Sequence, residues 1–167
     1  MVLRSAQPQD RAFLVEMARL ASALEDRPLP DPDAPPVIAL LPGPDATAVI
    51  AADGEEGRPV GAAWWHVHDP PLVRDANGKA LPELVMAVVE TERGKGIGAA
   101  LVDEAAKHAA KHFDELTLNV HLRNRAAHLN TRTGFIVTGA GRGRFGVAMS
   151  RPLDRHPSPS QATPGPR

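Results

Sequence analysis

The sequence predicts an α/β fold, with one mixed, mostly antiparallel sheet of about seven strands flanked by about four helices. Three observations carry that prediction. Short apolar or alternating runs recur along the chain with turn residues between them. One of them, LVMAVV at 84–89, is apolar at every position, as a central strand covered on both faces must be. Two other stretches, 7–24 and 98–113, place their apolar residues at helical spacing instead. At 167 residues the chain is long enough for one domain with one core, placed at 1–153. Five prolines fall in the last 16 residues, and 154–167 is expected to be a disordered tail.

VLRSA at 2–6 reads as a short first strand. The helix that follows gathers Phe13, Leu14, Met17, Leu20, Ala21 and Leu24 on one face, with Gln7 or Asp10 suited to start it. Seven prolines between Pro28 and Pro44 make the next segment an irregular connector with room for one helical turn. TAVIAAD at 47–53 and VGAAWWHVH at 60–68 flank DGEEGRP, whose Asp-Gly pair suits a hairpin. The longer turn DPPLVRDANGKALP leads into LVMAVV, which completes an antiparallel succession. From Gly98 to Phe113 the apolar residues Leu101, Val102, Ala105, Ala106, Ala109 and Phe113 share one arc of a helix, with Asp103, Glu104, Lys107 and Lys111 opposite. ELTLNVHL at 115–122 alternates as a strand, RAAHLNTRT is a short helix stopped by Gly134, and FIVTG and RFGVAMS close the sheet.

Composition narrows the function. With 19 Lys and Arg against 20 Asp and Glu, the net charge of −1 argues against nucleic acid or anionic lipid as a partner. The chain has no cysteine, which excludes disulfides, thiolate metal sites and cysteine nucleophiles. Its start, MVLRSAQPQDRAFL, lacks the apolar stretch of a signal peptide, and no run approaches the ~18 apolar residues of a membrane span. A cytoplasmic protein with a small-molecule or local protein partner is expected.

ERGKGIGAAL at 92–101 places three glycines where a strand hands over to a helix. A Walker loop needs Ser or Thr after Gly-Lys, and here Lys95 is followed by Gly96 and Ile97. Gly94-x-Gly96-x-x-Ala99 matches the letters of a dinucleotide fingerprint. It falls too late in the chain, however, and follows an antiparallel set. The remaining scheme is Arg93-x-x-Gly96-x-Gly98 opening a helix. Free N–H groups and the positive end of the helix dipole form an anion seat there, with Arg93 and Lys95 adding charge. This spacing resembles the Arg/Gln-x-x-Gly-x-Gly/Ala motif of the GNAT superfamily of N-acetyltransferases. ELVMAVVETERGKGIGAALVDEA resembles that family's fourth strand and third helix, and LTLNVHLRNRAAHLNTRTGF its fifth strand and fourth helix.

The resemblance implies a sheet splayed between its fourth and fifth strands, with acetyl-CoA as co-substrate and no metal. Arg93, Gly94, Lys95, Gly96, Ile97 and Gly98 would hold the pyrophosphate, the backbone of Ala87, Val88 and Val89 the pantetheine arm, and Asn124 would touch that arm. Glu83, at the start of the fourth strand, matches a position where members carry a glutamate beside the acceptor, and it is the candidate general base. Its alternative is a strand-end carboxylate in water. Asn130 stands where many members place a tyrosine acid, and the chain contains no tyrosine. Trp65, His66 and His68 are candidates for the acceptor side. His-x-His also suggests a metal, but no third ligand accompanies it at a convincing spacing. The resemblance thus implies transfer of acetyl from acetyl-CoA to an amine acceptor by direct attack. The rival is a non-catalytic acyl-CoA binding or sensing module. The oligomeric state is open, a homodimer included.

Overall fold

The computed structural model describes residues 1–23, 27–121 and 126–155, the side chains of 126–128 excepted. Seven strands form one sheet in the order β1-β2-β3-β4-β5-β7-β6. They are β1 (Val2–Ser5), β2 (Val49–Ala52), β3 (Pro59–His66), β4 (Glu83–Val88), β5 (Glu115–His121), β6 (Ile136–Ala140) and β7 (Gly146–Pro152). Four helices cover it: α1 (Arg11–Ala21), α2 (Pro35–Ile38), α3 (Ile97–Ala109) and α4 (Ala126–Arg132). The mixed, mostly antiparallel sheet of the sequence reading is therefore found, and β4 with β5 is its parallel pair. The expected helix over 7–24 divides into a 3-10 turn at Pro8–Asp10 and α1, and Leu24 lies outside the described residues. The single helical turn allowed for in the proline connector is α2, with Pro35 and Pro36 in its first turn, where a missing N–H costs nothing. Asn124 and the tail from residue 156 lie outside the described residues.

Strand alternation sorts the core to the two faces. Ala62, Trp64, Val85 and Ala87 pack under Leu14, Met17, Ala18 and Val37 of α1 and α2. On the other face, Ala63 and Val88 meet Ile97, Leu101 and Ala105 of α3, while Trp65 packs with Val102, Ala106 and Phe113. LVMAVV is therefore covered on both sides, as its unbroken apolarity required. The start of α1 is fixed by Asp10, whose carboxylate accepts from the backbone N–H of Gln7 (2.7 Å) and from Arg4 of β1 (2.6 and 2.9 Å). Those bonds hold its pKa below the usual carboxylate value against the opposing effect of burial.

The sheet opens at its centre. β4 and β5 share a single ladder position, Glu83 opposite Thr117, where the Thr117 N–H and hydroxyl both donate to Pro82 O (2.9 and 2.8 Å). Beyond it the two strands part. β5 is instead paired along its full length with β7. The splay expected from the resemblance is present, and it places unpaired backbone beside the start of α3.

Candidate active site

The glycine loop leaves β4 through a 3-10 turn at Glu90–Glu92, and Arg93 ties it back by donating from Nε to Val88 O (3.1 Å). Gly94 and Gly96 have φ of 78° and 81°, a conformation that costs other residues about 1–2 kcal/mol. At both positions a Cβ would point into open space, so the chain turns here and leaves the front of α3 uncovered. Gly96 is the N-cap of α3, no side chain caps it, and the first intrahelical bond runs from Ala100 N to Gly96 O (3.2 Å). The N–H groups of Ile97, Gly98 and Ala99 are left to face an anion at the positive end of a 13-residue helix. Lys95 stands beside them, exposed and paired with Glu92 at 2.8 Å. Gly98 has a different constraint: a Cβ there would come within 2.8 Å of Leu129 Cδ2, so a side chain of α4 packs directly on the helix start.

The backbone beside the splay is narrower than the expected Ala87–Val89. Val89 N–H donates to Val60 O of β3, and hydrogen-bonded and free positions alternate along an antiparallel strand. Ala87 and Val89 therefore face β3, while Val88 and Met86 turn their backbone groups to the opening. Met86 was not singled out from sequence, because the parity of a ladder is invisible until one of its bonds is known.

A cleft of about 500 Å³ runs from this opening toward α1 and α2. Leu84, Val85, Met86, Leu118 and Val120 form its apolar walls, and Glu83, His66, His68, His121, Asn130 and Arg142 supply its polar atoms. Glu83 is 4% exposed, and its two carboxylate oxygens accept from the two Nη atoms of Arg142, one pair at 2.8 Å. Arg142 also donates to Pro70 O (3.0 Å), and its backbone N–H donates to Asn119 Oδ1 (2.8 Å). The candidate base is thus held by a guanidinium from the β6–β7 turn rather than left in water. Arg142 was missed in the sequence, where it falls in the unassigned stretch between the closing strands FIVTG and RFGVAMS. His66 lies directly opposite Glu83 in the β3–β4 ladder, and its ring meets that of His68 edge to face at 5.5 Å. Burial pushes the His66 pKa down, against the pull of Glu83, and His68 and Arg142 push the same way as burial.

Trp65 is a correction to the acceptor-side set. It turns to the α3 face, 6% exposed, with its ring 5.2 Å from that of Phe113. Successive residues of a strand point to opposite faces, so Trp65 cannot share the cleft with His66. Its neighbour Trp64 is also core and donates from Nε1 to Leu40 O (2.7 Å). Asn130, for which the resemblance implied a tyrosine acid, is buried at the cleft wall. Among the described residues, no group of three or more His, Asp or Glu side chains could hold a metal ion.

The chain matches the acetyltransferase (GNAT) family over residues 14–135. Among curated proteins the sequence finds no match. Solved structures share its fold. A GNAT-family acetyltransferase from Streptococcus pneumoniae has a TM-score of 0.63 at 22% identity, over 91% of this chain and 99% of its own. A GNAT-superfamily phosphinothricin acetyltransferase from Sinorhizobium meliloti, solved in complex with acetyl-CoA, scores 0.66 at 23% identity, over 91% and 88%. A ribosomal-protein-alanine N-acetyltransferase from Brucella melitensis scores 0.63 at 21%, over 92% and 100%. With a family match across most of the chain and the fold of solved acetyltransferases, this protein belongs to the GNAT family of acetyltransferases.

Proposed function

We propose that this chain is an N-acetyltransferase that moves the acetyl group of acetyl-CoA to a primary amine by direct attack. One observation carries the reading: the uncovered start of α3 lies just beyond the strand β4, whose Met86 and Val88 N–H groups face the opening and whose Met86 lines the cleft. A pyrophosphate fits the first turn of α3, where Gly94 and Gly96 leave open space and three N–H groups converge. An extended arm fits along the open edge of β4 as an added strand would. A thioester carbonyl would then lie where the Met86 or Val88 N–H can stabilise an oxyanion. The amine enters from the side of His66, His68 and Glu83. The solved relative with acetyl-CoA supports the donor, and the relative named for ribosomal-protein alanine supports an amine acceptor. Without cysteine, a covalent relay through a thiol is closed and direct attack is the simplest route.

The test is thermal stability with and without acetyl-CoA, followed by thiol release over a panel of amines. Every thiol detected must come from CoA, because the protein has none. Binding should add about 2.7 kcal/mol at a hundredfold excess over the dissociation constant. No shift at saturating acetyl-CoA would overturn the reading. Asn130 favours a second reading, a non-catalytic acyl-CoA binding module, since an amide cannot protonate the departing thiolate. A thiolate with a pKa near 8.5 already leaves readily, which keeps transfer the first reading. A full acetyl-CoA shift without turnover on any amine would decide for the second.

A further inference from the structure

The geometry points to His66 as the group that takes the proton from the attacking amine, with Glu83 and Arg142 acting as positioning residues for it. This inference rests on the acetyl-transfer reading above and assigns roles within the same cleft. Glu83 was the first candidate for the base, but both of its oxygens are engaged by Arg142, and receiving a proton there would break the fork. His66 lies across the ladder on the same face of the sheet, lines the cleft and is 6% exposed. Among the described residues neither of its ring nitrogens has a hydrogen-bond partner. A neutral imidazole held there has a lone pair ready for a proton.

Burial keeps His66 neutral at pH 7, because its pKa lies below the ordinary value. The groups facing it are Glu83 from β4, His68 from the segment after β3, Arg142 from the β6–β7 turn and His121 from β5. α1 and α2 offer no titratable group to this end of the cleft. A bare Glu83 would favour the imidazolium, and the Arg142 fork offsets that pull. In the step itself the amine lone pair forms the N–C bond and the carbonyl electrons move to oxygen. The nitrogen becomes acidic as that bond forms, and its proton passes to His66. The oxyanion then collapses, the C–S bond breaks, and CoA leaves as a thiolate that takes a proton from solvent or from the imidazolium. A weakly basic imidazole suits a proton whose donor is acidic only in the transition state.

The experiment is the pH profile of kcat at saturating acetyl-CoA, using free amino acids, alkyl diamines and short peptides with free N-termini as acceptors. The wild-type rate should rise with pH along a limb below about 6.5. His66→Gln should lose that limb and fall on the order of a hundredfold or more at pH 7. Glu83→Gln should keep the limb, moved to lower pH by the uncompensated Arg142 charge. Arg142→Gln should move it to higher pH. A limb that vanishes in Glu83→Gln and survives in His66→Gln overturns the assignment, as does an unmoved limb in all three. The acetyl-CoA thermal shift checks that each variant folds. If His66→Gln loses it, titration of the His66 imidazole by NMR in the wild-type protein replaces that arm, and its midpoint must coincide with the activity limb. A midpoint elsewhere refutes the proposal. A wild-type chain that shifts with acetyl-CoA but acetylates no amine removes the activity itself, and this inference with it.

Discussion

Gly96 offers a test in which strain and charge separate. Its φ of 81° means that any side chain there costs about 1–2 kcal/mol, and its Cβ direction is empty, so no clash adds to that cost. Gly96→Ala should therefore lower the melting temperature through strain alone, at about 2–4 °C per kcal/mol for a chain of this size. Gly96→Asp carries the same strain. It also places a carboxylate at the N-terminus of α3, where the helix dipole returns about 0.3–1 kcal/mol. Without ligand, the aspartate variant should be at least as stable as the alanine variant. With acetyl-CoA the order should reverse. At a hundredfold excess the wild type gains about 2.7 kcal/mol, or about 5–11 °C, and the alanine variant should keep much of that gain. The aspartate variant should lose it, since its carboxylate would occupy and repel the phosphate seat. Differential scanning fluorimetry of the three proteins, with and without acetyl-CoA, reads all of these terms. An aspartate variant that keeps the wild-type shift would place the pyrophosphate elsewhere and refute the reasoning.

Other consequences of the packing are measurable by denaturant or thermal unfolding. Phe135→Ala removes a side chain 1% exposed in the core beneath α3 and should cost about 3–5 kcal/mol. Gly98→Val should cost about 1–3 kcal/mol, because a branched side chain cannot avoid Leu129 and Met86 together, whereas Gly98→Ala needs only a small shift of Leu129. Trp64→Phe deletes the donor to Leu40 O and should cost about 1–2 kcal/mol, a loss absent from any variant that keeps the indole N–H. Asp10 has a folded pKa below its unfolded value. Its contribution is therefore present above the unfolded pKa of about 3.9 and is lost as pH falls through the folded value. In Asp10→Asn the fall in stability between neutral and acid pH should be correspondingly shallower.

Most of the sheet was legible because each strand announces itself locally. LVMAVV could be read as central from its composition, and β2, β3 and β4 could be ordered from the turns between them. Errors fell where a boundary depends on tertiary contact. Phe113 was read into α3, but the helix ends at Ala109, and Phe113 reaches the core from the turn beyond it, beside Trp65. β7 runs two residues past Ser150, to Pro152, because Glu115 and Leu116 of β5 give it partners there. Gly98 was grouped with the phosphate glycines by spacing alone. What limits the size of a side chain there is Leu129, 31 positions along the chain, and no local pattern reports that contact.

The same distinction explains why the proposed donor half of the site was readable and the proposed acceptor half was not. The donor seat is a local object: a strand, a glycine turn and the first turn of a helix, contiguous in sequence, whose chemistry follows from backbone N–H groups that any such segment would present. The acceptor end is assembled from β3, β4 and a turn 59 residues beyond Glu83. Glu83 looked like a base only while its partner was unknown. Once Arg142 is placed on it, the carboxylate becomes part of a fixed charge pattern, and the uncommitted proton acceptor beside it is His66, first noted for sharing a strand with His68. In the proposed mechanism the acid–base roles follow from which groups the fold ties together, and that is a property of the folded chain rather than of any motif within it.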